Sequence, residues 1–156
     1  IAYRVKQVHG NTVLTPTEIA TADRPADAEH PPADGVISET AHQSVWVCSA
    51  DCTPALLADV ATGQVAAVHA GWRGTALKIV PQAIARMQAQ GTQLENLRVA
   101  LGPAIAGAVY QVSEHVAAEV GATIAPVDPS QVQTAIAHLQ SLPNSPVQPD
   151  PEPGRA

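Results

Sequence analysis

Residues 54–76 read PALLADVATGQVAAVHAGWRGTA, and their pattern decides the fold class. Pro54 to Ala58 and Gln64 to His69 are short apolar runs. Asp59 to Gly63 between them carries turn chemistry, so the two runs are expected to pair as a β-hairpin. Glycines at 71 and 74 then break the strand pattern, and a helical one begins near Thr75. Leu77, Val80, Ile84 and Met87 recur at helical spacing, which puts them on one face. Gly91 is the expected C-terminal stop. Pro81 inside this segment predicts a kink or a late start.

Working outward, Ser44 to Ser49 and Leu97 to Leu101 are further strand candidates. A second helix is expected from about Ser113 to Val120. A third is expected from Ser130, as N-cap, to Leu139. Residues 16–33 hold four prolines and read as a surface connection. Residues 143–154, PNSPVQPDPEPG, exclude helix and central strand and read as a flexible loop or tail. Strands alternating with helices indicate an α/β or α+β fold with a substantial sheet.

Composition narrows the function classes. The 156 residues suit one domain, expected over residues 1–142 with the Pro-rich tail at 143–156. With 46% hydrophobic and 14% charged residues, the chain is not of disordered composition. A net charge of −6 and no basic stripe exclude nucleic acid as the main partner. No run of apolar residues is long enough to span a membrane. No signal peptide is visible, and two cysteines form no disulfide framework. A cytoplasmic protein, monomeric or a small homo-oligomer, is the expectation.

Three segments carry potential chemistry: Lys6 to Asn11 (KQVHGN), Ser49 to Pro54 (SADCTP) and Val68 to Ala76 (VHAGWRGTA). Each sets a metal-ligand residue beside a turn or a strand end, where side chains face clefts. His9, Cys52 and His69 would give two imidazoles and a thiolate, a three-ligand set that leaves zinc an open fourth position. Spacing alone leaves a plainer reading open, a buried cysteine and two loop-capping histidines. Cys48, at an even offset from Cys52, is either a fourth ligand or a small core residue. Arg73 reads as a phosphate binder before a helix start, or as a surface arginine packed on Trp72. Asp51 reads as a ligand-orienting or proton-transferring carboxylate, or as a turn cap. Gln7 would bond a base or ribose, or simply the backbone. His30, His42, His115 and His138 read as solvated.

Taken together and in order, KQVHGN, ADGVIS (Ala33 to Ser38), ADCTPALLAD (Ala50 to Asp59), AAVHAGWRGTA (Ala66 to Ala76), ALGPAI (Ala100 to Ile105) and YQV (Tyr110 to Val112) resemble the laccase-domain family, also labelled polyphenol oxidase or YfiH-type. The resemblance runs from about Val5 to Val120. It implies a layered α/β/β/α-type sandwich, with mixed sheets flanked by helices. It implies zinc held at His9, Cys52 and His69. It also implies a purine nucleoside phosphorylase, acting on adenosine, inosine, guanosine or methylthioadenosine with inorganic phosphate, together with adenosine deaminase activity. In the second reaction a zinc-activated water would attack the purine ring. Arg73 is the expected phosphate contact, and Asp51 or Gln7 the base or ribose contact. Family members carry further motifs beyond both ends of this sequence, so the chain is expected to be truncated.

The competing readings are a copper-dependent polyphenol oxidase, hydrolysis at an activated Cys52 with His69 or His9 as base, and a factor that edits peptidoglycan precursors. Multicopper chemistry needs many clustered histidines, and only six histidines occur here, none in a His-x-His pair.

Overall fold

The computed structural model describes residues 1–22 and 29–150. Residues 23–28 of the proline-rich stretch and 151–156 of the tail lie outside the described residues. The chain divides into two compact units, Ile1–Ala104 and Ile105–Ala156.

The first unit is built on a sheet of five strands: β2 (Val13–Leu14), β3 (Gly35–Ile37), β5 (Thr53–Asp59), β6 (Val65–Ala70) and β7 (Leu97–Leu101). Their spatial order is β2-β3-β6-β5-β7. β2 and β3 run parallel, and every other neighbour pair is antiparallel, so the sheet is mixed. A separate parallel pair joins β1 (Ala2–Tyr3) to β4 (Ser44–Val45). The strand expected at Ser44 to Ser49 is thus only two residues long.

The β5–β6 hairpin forms as the sequence predicts, with Thr53 opposite Ala70 and Ala58 opposite Val65. Asp59 closes its turn. The Asp59 carboxylate accepts the Ala61 and Thr62 N–H groups at 2.8 and 3.2 Å, and Gly63 supplies a positive φ of 77°.

Helix α2 (Trp72–Ala76) follows β6 directly, and α3 (Ile79–Ala89) packs along the sheet. Lys78 sits between them at φ 61°, a left-handed break. Pro81 therefore falls in the first turn of α3, where its missing N–H costs nothing; this is the late start. The break also shifts the helical phase. Ile79, Ala83 and Met87 are buried, whereas Leu77, expected on the inner face, is 51% exposed. Gly91, at φ 107°, ends the segment as expected.

Alternation along the strands divides the side chains between two faces. On the helix-covered face Val13, Ile37, Ala55, Leu57, Ala66 and Val68 pack with Ile79, Ala83 and Met87 into one cluster. On the other face Val36 packs with Val5 and Ala33, flanked by Tyr3, Leu14 and Val45. Farther along that face, Leu56 and Trp46 border an open groove and are 53% and 60% exposed.

One expectation fails between residues 16 and 22. The sequence there reads as a connection, yet Pro16–Thr21 form helix α1. Thr15 and Glu18 build a full capping box, and Pro16 stands at the start of the helix, where proline is preorganised for it. A proline counted as a breaker is here a starter.

The second unit holds α4 (Glu114–Gly121) and α5 (Val132–Ser141). The Ser113 hydroxyl caps α4. α5 starts one residue past Gln131 rather than at Ser130, because the Ser130 hydroxyl is bonded to Asp128. Leu139 and Ile136 of α5 pack with Ala117, Ala125 and Val147. The chain is a mixed α/β fold, a mixed sheet flanked by helices, and its sheet sets the strand ends described next.

Candidate metal centre

The hairpin register determines where the first two ligand candidates meet. Thr53 starts β5 opposite Ala70 near the end of β6, so Cys52 and His69 are brought together at one end of the sheet. His69 is next to last in β6 and only 4% exposed. Cys52 lies in the bend just before β5, half-buried, and the Ser49 hydroxyl donates to its carbonyl.

The third candidate arrives from a loop. Lys6 makes a parallel bridge to Pro32, and the chain then turns so that His9 adopts φ 58°, a conformation uncommon for a residue with a side chain. What holds this turn is Asp34, fully buried just before β3. Its carboxylate accepts three successive backbone N–H groups, from Val8 at 3.2 Å, His9 at 2.9 Å and Gly10 at 2.7 Å. The same carboxylate lies 2.9 Å from Nδ1 of His69.

The result is a compact group. The ligand atoms of His9, Cys52 and His69 all lie within 4.8 Å of one another, and the two imidazoles meet edge to face with centroids 4.9 Å apart. Gly71 borders them. A Cβ there would stand 3.1 Å from Cys52 Sγ and 3.1 Å from a His9 ring carbon, so only glycine leaves this space open. Gly74 in α2 allows a second close approach, since a Cβ there would lie 2.8 Å from the Gly10 carbonyl. Two imidazoles and a thiolate suit a tetrahedral ion such as zinc, which would keep one position for water or substrate.

Electrostatics favour the protonated thiol in the metal-free chain. Burial pushes the Cys52 thiol up from its ordinary value, and the charges of Asp51 and Asp34 push the same way. A cation would oppose all three.

The remaining sequence candidates have surroundings of their own. Asp51 is exposed next to Cys52 in the chain, and its carboxylate helps to raise the Cys52 thiol. Arg73 is exposed, with its guanidinium carbon 4.4 Å from the Trp72 ring centroid. Both ends of the Gln7 amide are engaged with the Cys48 backbone at 2.7 Å, which ties the His9 loop to the segment leading into Cys52. Cys48 itself is exposed, so it is not the core residue expected, and it stands outside the ligand group. His30 accepts from Arg4, and His115 lies beside Glu119.

Asp34 is the residue that sequence reasoning missed. Its signal was an acidic residue heading the short apolar strand GVI inside ADGVIS, where a charge must be satisfied to be buried.

The chain is similar to known proteins over most of its length. The family model described as "Multi-copper polyphenol oxidoreductase laccase" matches residues 2–144. A Synechocystis protein named purine nucleoside phosphorylase is 54% identical over 153 residues, which cover 97% of this chain and 58% of that protein. A Streptomyces griseus protein of the same name is 38% identical, over 77% of this chain and 47% of that protein. The crystal structure of YlmD from Geobacillus stearothermophilus superposes with a TM-score of 0.65 at 27% identity, over 99% of this chain and 52% of that one. The chain thus spans about half the length of the curated relatives it matches.

Proposed function

The chain belongs to the family described as multi-copper polyphenol oxidoreductase laccase, and from that premise we propose that it carries the metal centre of a zinc-dependent purine nucleoside phosphorylase. The observation that carries this reading is the convergence of His9, Cys52 and His69 within 4.8 Å beside a glycine that keeps the space open. The names of the relatives at 54% and 38% identity support the substrates, a purine nucleoside and inorganic phosphate.

In this reaction a phosphate oxygen bonds to ribose C1′, the glycosidic bond breaks, and its electron pair leaves with the base. His9, Cys52 and His69 would hold the ion. When bound, the ion supplies a Lewis acid that orients and polarises a substrate oxygen. Arg73 binds phosphate. Its stacking on Trp72 fixes an exposed guanidinium, and a guanidinium matches phosphate oxygens with paired N–H donors. Asp51, exposed next to Cys52, would accept from a ribose hydroxyl or hold a proton at the leaving base. Gln7 braces the segment from Cys48 to Cys52. When bound, the ion would also supply Lewis-acid activation of a water for attack on the purine ring with loss of ammonia, and on that ground we extend the proposal to an accompanying adenosine deaminase activity.

Zinc is favoured over copper by the number of ligand groups. Among the described residues a single His/Cys cluster is present, whereas reduction of oxygen by several coppers needs several clustered histidine sites. The test is chromatography of adenosine, inosine and guanosine incubated with phosphate and the zinc-loaded chain. Free base and ribose 1-phosphate are expected, both lost in Cys52→Ala. Phenol oxidation with copper, without phosphorolysis with zinc, would overturn the proposal.

A further inference from the structure

We infer that Asp34 is the positioning residue of this centre, because one buried carboxylate both shapes the His9 turn and sets the tautomer of His69, presenting two ligands as a unit. The inference rests on the metal-centre reading above.

The count of donors and acceptors carries it. A carboxylate is an acceptor only, with two oxygens. At Asp34, Oδ2 takes the Val8 and Gly10 N–H groups, and Oδ1 takes the His9 N–H and faces His69 Nδ1. Three successive N–H groups curling around one anion form a nest, and the left-handed residue at its centre is His9. The turn that carries one ligand is therefore folded around the group that orients another.

The His69 contact has a chemical consequence. An imidazole nitrogen that faces an acceptor-only oxygen carries the proton. The proton thus sits on Nδ1, and Nε2 keeps its lone pair for the ion. Backbone bonds lock the arrangement further, since the His69 N–H donates to the Asp34 carbonyl at 2.7 Å and the Asp34 N–H to the Thr12 carbonyl at 2.9 Å. Asp34 has no exposed surface, so water cannot replace it.

Asp34→Asn keeps the shape and breaks the count. The amide has one acceptor oxygen and an NH₂ donor. With the oxygen toward His69, the Val8 and Gly10 N–H groups face a donor and the His9 turn loosens. With the oxygen reversed, His69 Nδ1 faces a donor, its proton moves to Nε2, and the ligand position is blocked. Either way one of the two imidazoles is lost as a preorganised ligand.

The experiment compares zinc affinity of the unaltered chain and Asp34→Asn by competition with a chromophoric chelator. Nitrogen-15 NMR of the metal-free chains alongside reads which imidazole nitrogen of His69 is protonated. The expected result is a ten- to hundredfold loss of zinc affinity in a folded Asp34→Asn chain, with His69 protonated at Nδ1 in the unaltered protein. A folded variant that binds zinc within twofold of the unaltered chain would overturn the inference. So would a His69 proton found on Nε2 in the unaltered chain, a result that needs no variant to fold. Failure of the unaltered chain to take up zinc would instead sink the metal-centre reading, and the tautomer would still decide the role of Asp34.

Discussion

His69 and His9 reach the same point by opposite means. His69 sits within β6, which is hydrogen-bonded to β3 on one side and β5 on the other, and it is 4% exposed. Regular structure aims it. His9 is exposed on a loop and occupies a left-handed conformation, which costs an ordinary residue about 1–2 kcal/mol. No sheet aims it, and a buried carboxylate does so instead. A ligand on a strand inherits its direction from the fold, whereas a ligand on a loop needs a dedicated partner.

The sharpest way to break this comparison is to delete each imidazole in turn. Both His69→Ala and His9→Ala are expected to weaken zinc binding by more than the roughly hundredfold that loss of an outer partner brings. Their metal-free chains should differ. His69→Ala leaves the buried Asp34 oxygen without its ring partner and is expected to cost about 1–3 kcal/mol. His9→Ala leaves every Asp34 bond to the backbone in place and should stay within about 1 kcal/mol of the unaltered chain. Urea unfolding of the two metal-free variants checks this, and equal losses would refute the division of labour.

The two glycines sharpen it further. Gly74→Ala forces a Cβ to 2.8 Å from the Gly10 carbonyl, a backbone atom rather than the end of a side chain, and about 1–3 kcal/mol of stability should be lost with or without zinc. In Gly71→Ala the atoms nearest the new Cβ are Cys52 Sγ and ring carbons of His9 and His69. Its metal-free stability should change less, while zinc affinity falls. Thermal melts with and without zinc separate the two.

The smallest expected effect is on pH. In the folded metal-free chain the thiol of Cys52 is held above its ordinary value of 9.0, so folding retains a proton that the unfolded chain releases earlier. That contribution to stability is present below the unfolded thiol's pKa and fades as pH rises through the folded one. Zinc takes the thiolate, so uptake releases this proton and affinity should climb about tenfold per pH unit below the thiol's pKa from this group alone. Chelator competition at several pH values measures the slope, and a flat profile would mean that sulfur is not a ligand.

Much of this was legible in the sequence because it depends on local chemistry. The turn residues Asp59 to Gly63 fixed the hairpin, and the hairpin alone brings Cys52 next to His69. The ordered motifs added His9, which no spacing rule could place. Other features were hidden for physical reasons. Asp34 acts across 24 to 35 residues of chain, and its partners are backbone N–H groups, which leave no residue signature. Helix α1 was masked because proline breaks a helix interior and favours its first turn, and only the Thr15–Glu18 capping box tells the two apart. The inner face of α3 was misphased at Leu77 because a left-handed Lys78 resets the register.

The most direct test of the central claim is X-ray absorption spectroscopy at the zinc edge on the purified, zinc-loaded chain. The account predicts one ion per chain with one sulfur at about 2.3 Å and two imidazole nitrogens at about 2.0–2.1 Å. It predicts loss of the sulfur shell in Cys52→Ala. An ion bound without sulfur, or no bound ion, would contradict it.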